Sequence, residues 1–387
     1  MNGILGKTGG GFDRVAPWQA AAIAGLVAWL VTTFFYAPPL WMPLSGGGST
    51  PARIDDFNAL CADPLTRDLG EPILAYRITT PALAWLLGLR GFSGVILQYL
   101  AIPLSLGLIF QALTARTSRR DALLLTVGIA CSYTMIWTNT KPGFPDAVTH
   151  LAAAVLLLSR KAWLIVAMTI LGTLNDERFV LAIPFLILWH ARTESLAAIL
   201  RSSWKEVAAF AVGLGIVVLV RNALKHGIIG PGIPDPEVYE AISGVLSLES
   251  LAPLNGWKSY LVNVLTSYRA LWLVMPFAVF ALKGRMARVL FGVGLSGVLF
   301  ASGSVADVSR SIGFAFPALV LAAAGLPAAS ARATRILGGA VALCLLTPAF
   351  HVAPGSFLWG LEIQVERPLI LSIVRAKTGW DILDLAR

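Results

Sequence analysis

The sequence predicts an all-α polytopic membrane protein of about 11 transmembrane helices, and three observations carry that prediction. The 387 residues are 57% hydrophobic and only 13% charged, where a soluble domain carries about 25% charged residues; the mean hydropathy is +0.75. Apolar runs recur from one end of the chain to the other. Lys and Arg gather in compact clusters between those runs, as cytoplasmic loops require. The net charge of +9 therefore belongs to loops and not to one basic face, which argues against nucleic-acid binding. Cys61, Cys131 and Cys344 have no metal-ligand spacing, and two of them fall inside apolar runs, so no disulfide framework is expected.

Each span must satisfy its own backbone hydrogen bonds, so each apolar run is read as a helix. The first, about 17–37, is too long for a signal-peptide core and lacks a small-x-small cleavage site, so it is a retained span. The next are 93–114, 122–138 and 144–159, followed by the short pair 162–174 and 179–190. The last five are 206–224, 270–282, 289–303, 311–329 and 336–351. With a cytoplasmic N-terminus bearing Lys7 and Arg14, eleven alternating crossings put every compact basic cluster on one side. These are Arg116, Arg119 and Arg120; Arg160 and Lys161; Arg192; Lys283, Arg285 and Arg288; and Arg332 and Arg335. Merging 162–190 into a single span would scatter them over both faces, so the pair is expected to be two helices.

That order places 17 of the 21 acidic residues outside, all except Asp13, Asp121, Glu194 and Glu206. The chain reads as a single integral membrane domain, 1–387, with extracytoplasmic segments at 38–92, 225–269 and 352–387. Turn chemistry marks the first two ("PLSGGGSTP", "IGPGIPDP"). "EPILAYRITTPALAWLLGL" in the first is expected to be an interfacial helix after Arg77, and "GSFLWGLEIQVERPLILSIV" in the tail to lie along the membrane surface.

The candidate site residues converge on that outer side. In "KPGFPDAVTH", Asp146, Thr149 and His150 share one helical face; helix capping accounts for Asp146 alone, with Pro145 at the first helical position, but has no use for His150. In "LNDERF" between two short spans, Asn175 is a candidate N-cap with Asp176 and Glu177 in the first turn. Arg178 does not suit a helix N-terminus, which leaves either an internal ion pair or a ligand contact. "VADVSRS" places Asp307 and Arg310 three apart, with a surface salt bridge as the plain alternative. Asp55 and Asp56 sit in the acidic first loop, and Arg221 ends the seventh span, where snorkelling to headgroups is the plain alternative. A charge at mid-bilayer costs about 2.5–3.5 kcal/mol, so the NDER stretch belongs in an outward turn recessed between short spans. No HExxH, GxSxG, P-loop or GxGD motif is present.

Taken together, these segments resemble the bacterial multi-span proteins related to GT-C glycosyltransferases, which use polyprenyl-phosphate sugars. The matching features are the acidic first outer loop, "YRITTPALAWLL" after it, "FPD" opening a span, the "NDERF" turn, and "DVSRSIGFAFP" before a late span. The resemblance implies a bacterial inner-membrane enzyme that transfers a sugar from a polyprenyl-phosphate donor on the extracytoplasmic side. It implies a first-loop carboxylate, Asp55 or Asp56, as general base; Asp146 and Glu177 are the other candidate catalytic carboxylates. His150, Asp176, Arg178, Arg221, Asp307 and Arg310 are the candidate substrate-binding residues, with arginines on the leaving phosphate. A divalent Mg or Mn ion is compatible with this chemistry and not required by it. The competing classes are a transporter or flippase of a lipid-linked sugar, and a non-enzymatic membrane assembly partner.

Overall fold

The computed structural model describes residues 15–36, 51–191, 196–232, 256–282, 284–305, 307–326, 331–352, 363–366 and 377–379. The basic N-terminal residues, the start of the first outer loop, the centre of the second and most of the C-terminal tail lie outside the described residues. The helices are α1 (Pro17–Tyr36), α2 (Pro51–Ala62), α3 (Thr79–Leu86), α4 (Val95–Thr114), α5 (Arg119–Ala130), α6 (Tyr133–Thr140), α7 (Asp146–Leu158) and α8 (Ala162–Asn175). After a 3-10 turn at Glu177–Ala182 come α9 (Ile183–His190), α10 (Leu196–Lys225) and α11 (Gly256–Tyr268), the last continued by a 3-10 segment at Arg269–Phe277. Then follow α12 (Arg285–Gly303), α13 (Val308–Gly313), α14 (Pro317–Ala324) and α15 (Ala331–Leu346).

The protein is a helical, multi-pass membrane protein. Among the described residues, five stretches are long and apolar enough to cross a bilayer: Pro17–Tyr36, Val95–Thr114, Arg201–Lys225, Trp257–Ala281 and Arg285–Gly303. The pair α5 and α6, bent by 61° at its break, passes the same test only when its two helices are taken together, as a broken span or a re-entrant loop. Their outward faces are apolar: Trp18, Leu26, Leu30 and Phe34 on α1, Val212, Val218 and Leu219 on α10, and Val293 and Phe300 on α12 are all exposed. Hydrocarbon is the solvent that suits such faces.

Small residues draw the first helices together. The buried face of α1 is Ala20, Ala21, Ala24, Gly25 and Ala28, and it packs on α4. A Cβ on Gly25 would fall 2.2 Å from the Pro103 carbonyl oxygen and 2.7 Å from the Gly107 nitrogen. Backbone lies against backbone here, the close approach that small residues give to membrane helix pairs.

Side-chain contacts sort the helix ends into two groups. At one end, Arg119 donates to the Val15 carbonyl (3.2 Å) and Arg116 to that of Trp189 (2.5 Å). Trp189 and His190 reach the carbonyls of Leu157 (2.8 Å) and Leu156 (2.7 Å), and Arg160 pairs with Glu206. At the other end, Gln98 donates to the Lys141 carbonyl (3.0 Å), Asn175 to that of Pro145 (2.9 Å) and Arg221 to that of Thr173 (3.3 Å). The expected pair 162–190 is therefore a hairpin: α8 leaves the end where α7 finished, and α9 returns to it. At 13 and 14 residues, α7 and α8 are only ~20 Å long at 1.5 Å per residue, short of a hydrocarbon core of about 30 Å. Their far ends form a recess, covered by α2, α3 and the 3-10 turn Pro72–Tyr76.

Five sequence expectations need correction. Span 122–138 breaks at Cys131–Ser132, and 311–329 breaks between α13 and α14. The eighth span begins at Gly256 and not at 270; its early polar residues Ser259, Asn263, Thr266 and Ser267 are buried, so they face protein and do not interrupt the helix. The last expected span, 336–351, ends its helix at Leu346, and Ala349–Val352 pairs antiparallel with Ile363–Glu366, His351 opposite Gln364. Asn175 does not cap the following turn; it ends α8, and Asp176 is the cap, its carboxylate accepting the Arg178 backbone N–H at 3.0 Å.

Gly25→Val tests the α1–α4 contact. The added methyls meet backbone that cannot give way, so the melting temperature in detergent should fall by several degrees. A variant that melts with the parent would mean that α1 does not sit on α4 in this way.

Candidate functional site

The recess at the far ends of α7 and α8 holds the densest ionic network among the described residues, and each member is placed by a local feature of the sequence. The α6–α7 turn, "KPGF", is tied down by Gln98, fully buried on α4, whose amide oxygen accepts the Gly143 N–H at 3.2 Å. Gly143 has φ +85°, a conformation suited to glycine. The turn presents Asp146 at the first residue of α7. Arg310 comes from α13, a six-residue helix pinned from two sides: the Thr134 hydroxyl donates to the Arg310 carbonyl at 2.9 Å, and the Tyr268 hydroxyl to that of Ile312 at 2.7 Å. Gly313 permits this, since a Cβ there would fall 1.7 Å from the Thr134 hydroxyl oxygen.

Asp146 and Arg310 then meet as a two-pronged pair. Nε and Nη2 of Arg310 each donate to a carboxylate oxygen at 3.0 Å, and both residues are 2% exposed. The remaining prong of Arg310 reaches Asp307, so the expected i,i+3 pair exists but shares its arginine with a carboxylate 164 positions away. The guanidinium also lies over the Phe144 ring (4.9 Å) and the Trp137 ring (5.4 Å).

A second two-pronged pair lies beside the first. Arg178 donates from Nε to Asp176 at 2.7 Å and from Nη2 at 2.5 Å. The internal ion pair is thus the reading realised for Arg178, which also stands 4.0 Å from Asp146 and 3.9 Å from Asp307. Burial by itself would raise the Asp176 carboxyl, but Arg178 and Arg77 outweigh it and hold the group well below the ordinary carboxylate range. Asp176 is a fixed anion at neutral pH.

Arg77, from the first outer loop, extends the network. It lies 3.4 Å from Asp176 and donates to Glu177 at 2.6 Å. Glu177 also accepts from Arg221 at 3.3 Å. Asn175 joins three elements without charge, donating to the Pro145 carbonyl and the Thr149 hydroxyl (both 2.9 Å) and accepting from the Thr80 hydroxyl (2.5 Å).

Of the candidates, then, Asp146, Asp176, Glu177, Arg178, Arg221, Asp307 and Arg310 form one connected ionic network. His150 is one turn deeper, fully buried, its ring 5.1 Å from Phe314 and stacked 5.0 Å from Phe316; it supports the helix packing beneath Asp146 and does not line the cavity. Asp56 has a different task. Its two carboxylate oxygens accept the backbone N–H groups of Gly70 (2.7 Å) and Glu71 (2.8 Å), closing the first loop on itself. Asp55, its neighbour on α2, is exposed. Sequence reasoning passed over Arg53 and Arg77. Arg77 could have been noticed as the one charge in "AYRITTP", and Arg53 as a lone cation before two aspartates.

Between the first loop and the helix ends lies a narrow cleft, part of it open to solvent. Arg53, Arg77, Asp146, Asn175 and Asp176 are its polar lining, and Phe57, Leu60, Leu74 and Pro81 its apolar wall. Among the described residues, no group of three or more His, Cys, Asp or Glu side chains is arranged to hold a metal.

Arg178→Lys keeps the charge but loses the fork on a buried partner. A hydrogen bond to a charged group is worth about 1.5–3 kcal/mol, so this variant should melt clearly below the parent, whereas an exposed pair would cost about 0–1 kcal/mol. An unchanged melt would show that the Asp176–Arg178 pair contributes nothing to the fold.

No family model, curated protein or solved structure matches this chain.

Proposed function

We propose that the protein is a bacterial inner-membrane glycosyltransferase of GT-C type, which takes a sugar from a polyprenyl-phosphate donor on the extracytoplasmic side. In this reading the N-terminus is cytoplasmic, the chain crosses eleven times, and the tail is outside. The alternation of helix ends supports that count, as does the Arg116, Arg119 and Arg160 cluster at one end with Asp146, Asp176 and Asp307 at the other. The observation that carries the functional reading is the cleft itself. It brings two carboxylates, two arginines and an apolar wall together at one end of the bundle, where a sugar-phosphate head and its lipid chain need them.

Of the four candidate catalytic carboxylates, Asp146 is the one that lines the cleft, and the general-base role falls to it. Its two-pronged contact with Arg310 fixes it in direction. It would remove the proton of an acceptor hydroxyl, whose oxygen attacks the anomeric carbon as the phosphate leaves. Arg178 and Arg310 spend their forks on Asp176 and Asp146, so their part is to hold the acids. A transporter would need charge along its path. Among the described residues the buried charged groups lie at the outer end, except Glu206, which pairs with Arg160 at the other.

The test is release of polyprenyl phosphate from a panel of lipid-linked sugars, in right-side-out and in inverted vesicles. Release by the parent in right-side-out vesicles, and its loss by a factor of at least about 100 in Asp146→Asn, is the expected result. Release by neither orientation, with sugar-lipid movement across the bilayer instead, would replace the enzyme by a transporter.

A further inference from the structure

One half-buried cation stands apart from the cleft and its ion pairs. Arg269 follows α11 directly and opens the 3-10 segment Arg269–Phe277. Its φ of +49° is the one positive value at a non-glycine position among the described residues. That conformation costs an L side chain energy and persists only where the surroundings impose it. Arg269 also lies within the apolar stretch Trp257–Ala281, where a charge is expensive and marks a task.

Its guanidinium bonds to no carboxylate among the described residues. Nη1 donates to the Tyr36 hydroxyl (2.5 Å) and to the carbonyls of Cys344 (2.6 Å) and Thr347 (2.9 Å), and Nη2 to that of Cys131. Cys131 is the C-cap of α5, Cys344 belongs to the last turn of α15, and Thr347 follows that helix. Carbonyls at a helix C-terminus lack intrahelical donors and together carry about half a negative charge. Two such ends offer about one unit of negative charge, which matches one guanidinium.

From this junction two hydrogen bonds lead to the site. After Cys131 comes Ser132, the N-cap of α6, and then Thr134, whose hydroxyl holds the Arg310 carbonyl at 2.9 Å. Tyr268 immediately precedes Arg269, and its hydroxyl holds the Ile312 carbonyl at 2.7 Å. The Tyr268 carbonyl in turn accepts from the Cys344 thiol at 3.7 Å. Arg269 thus ties the break between α5 and α6, and the break after α11, to the end of α15. Both anchors of α13 hang from those two breaks. With only six residues in α13, a shift of either anchor would turn the Arg310 fork away from Asp146.

We propose that Arg269 is a positioning residue for the Asp146–Arg310 pair: by gathering the ends of α5 and α15 at the break after α11, it fixes the two hydrogen bonds that orient α13. It bonds to neither member of the pair. Its consequence for turnover rests on the general-base role proposed for Asp146; its consequence for geometry does not.

The experiment measures the coupling between Asp146 and Arg310 in the full chain in detergent. A double-mutant cycle of Asp146→Asn and Arg310→Met on stability is run in the parent and in two Arg269 variants. Arg269→Gly removes the guanidinium and also relieves the positive φ, which glycine accepts, so a loss belongs to the cation and not to the backbone. Arg269→Lys keeps the charge but cannot bond both helix ends at once, having no fork. The coupling should fall by a factor of about two or more in Arg269→Gly, and measurably in Arg269→Lys. A cycle of Arg160→Gln and Glu206→Gln, at the opposite end of the bundle, should return the parent coupling in both variants. In sugar release, Arg269→Gly should lower kcat by about tenfold or more with KM near the parent value, because the base is misdirected while the contacts to the ligand remain. Parent-like Asp146–Arg310 coupling in Arg269→Gly would overturn the positioning role; if that variant does not fold, parent-like coupling in Arg269→Lys would overturn it instead. Equal loss at Arg160–Glu206 would also overturn it, by making Arg269 a support of the whole bundle. Coupling lost in Arg269→Gly, with no sugar release by the parent from any donor, would end the enzyme and keep the positioning role. Sugar release by the parent, with coupling unchanged in Arg269→Gly, would do the reverse.

Discussion

The Asp146–Arg310 pair is the contact on which the recessed end of the helix bundle depends. It joins the start of α7 to α13 across 164 positions, in a place where neither charge meets water. Taking two ions out of solvent costs several kcal/mol apiece, and the chain offsets that cost with geometry: two parallel hydrogen bonds, two aromatic faces on the guanidinium, and a neighbouring Asp176–Arg178 pair of the same form. The pair also requires α13 to be short and pinned, which is why Thr134, Tyr268 and Gly313 converge on six residues. Removing either ion would leave the other buried and uncompensated.

Around that pair, short helices create the space and a loop covers it. Helices α7 and α8 stop below the level of a full crossing, and the first outer loop fills the recess with α2 and α3. Asp56 shapes this cover by gathering the amides of Gly70 and Glu71, which brings Glu71 to Arg53 and leads the chain on to Arg77. A carboxylate that looks catalytic in a one-dimensional reading thus organises the loop that carries the cations. Arg178 and Arg310 fix Asp176 and Asp146, and the loop arginines Arg77 and Arg53 pair with Glu177 and Glu71 beside them.

Much of this was legible in the sequence. Hydropathy gave the membrane class and the run of apolar helices, because lipid imposes those patterns residue by residue. The pairing of Asp307 with Arg310 and of Asp176 with Arg178 was also visible, since near neighbours on one segment meet whatever the fold does. The decisive contact was not. Asp146 and Arg310 are brought together by α6 and α13 packing at a glycine, and nothing local in "FPDAVTH" or "DVSRS" announces it. His150 misled for the opposite reason: helical periodicity put it on the face of Asp146, but one turn of depth buried it between Phe314 and Phe316. Arg53 escaped notice because its meaning comes from the cleft beside it, which only a folded chain possesses.

The central claim is that the recessed end is organised by the buried Asp146–Arg310 pair, and a double-mutant cycle on stability tests it most directly. The cycle compares Asp146→Asn, Arg310→Met and the double variant in the same detergent. Each single variant should cost about 3–5 kcal/mol, and the double should cost much less than their sum, a coupling at the upper end of the roughly 0.5–3 kcal/mol seen between contacting residues. Additive single effects, with no coupling, would show that the two side chains do not meet, and the site built on their contact would fall with them.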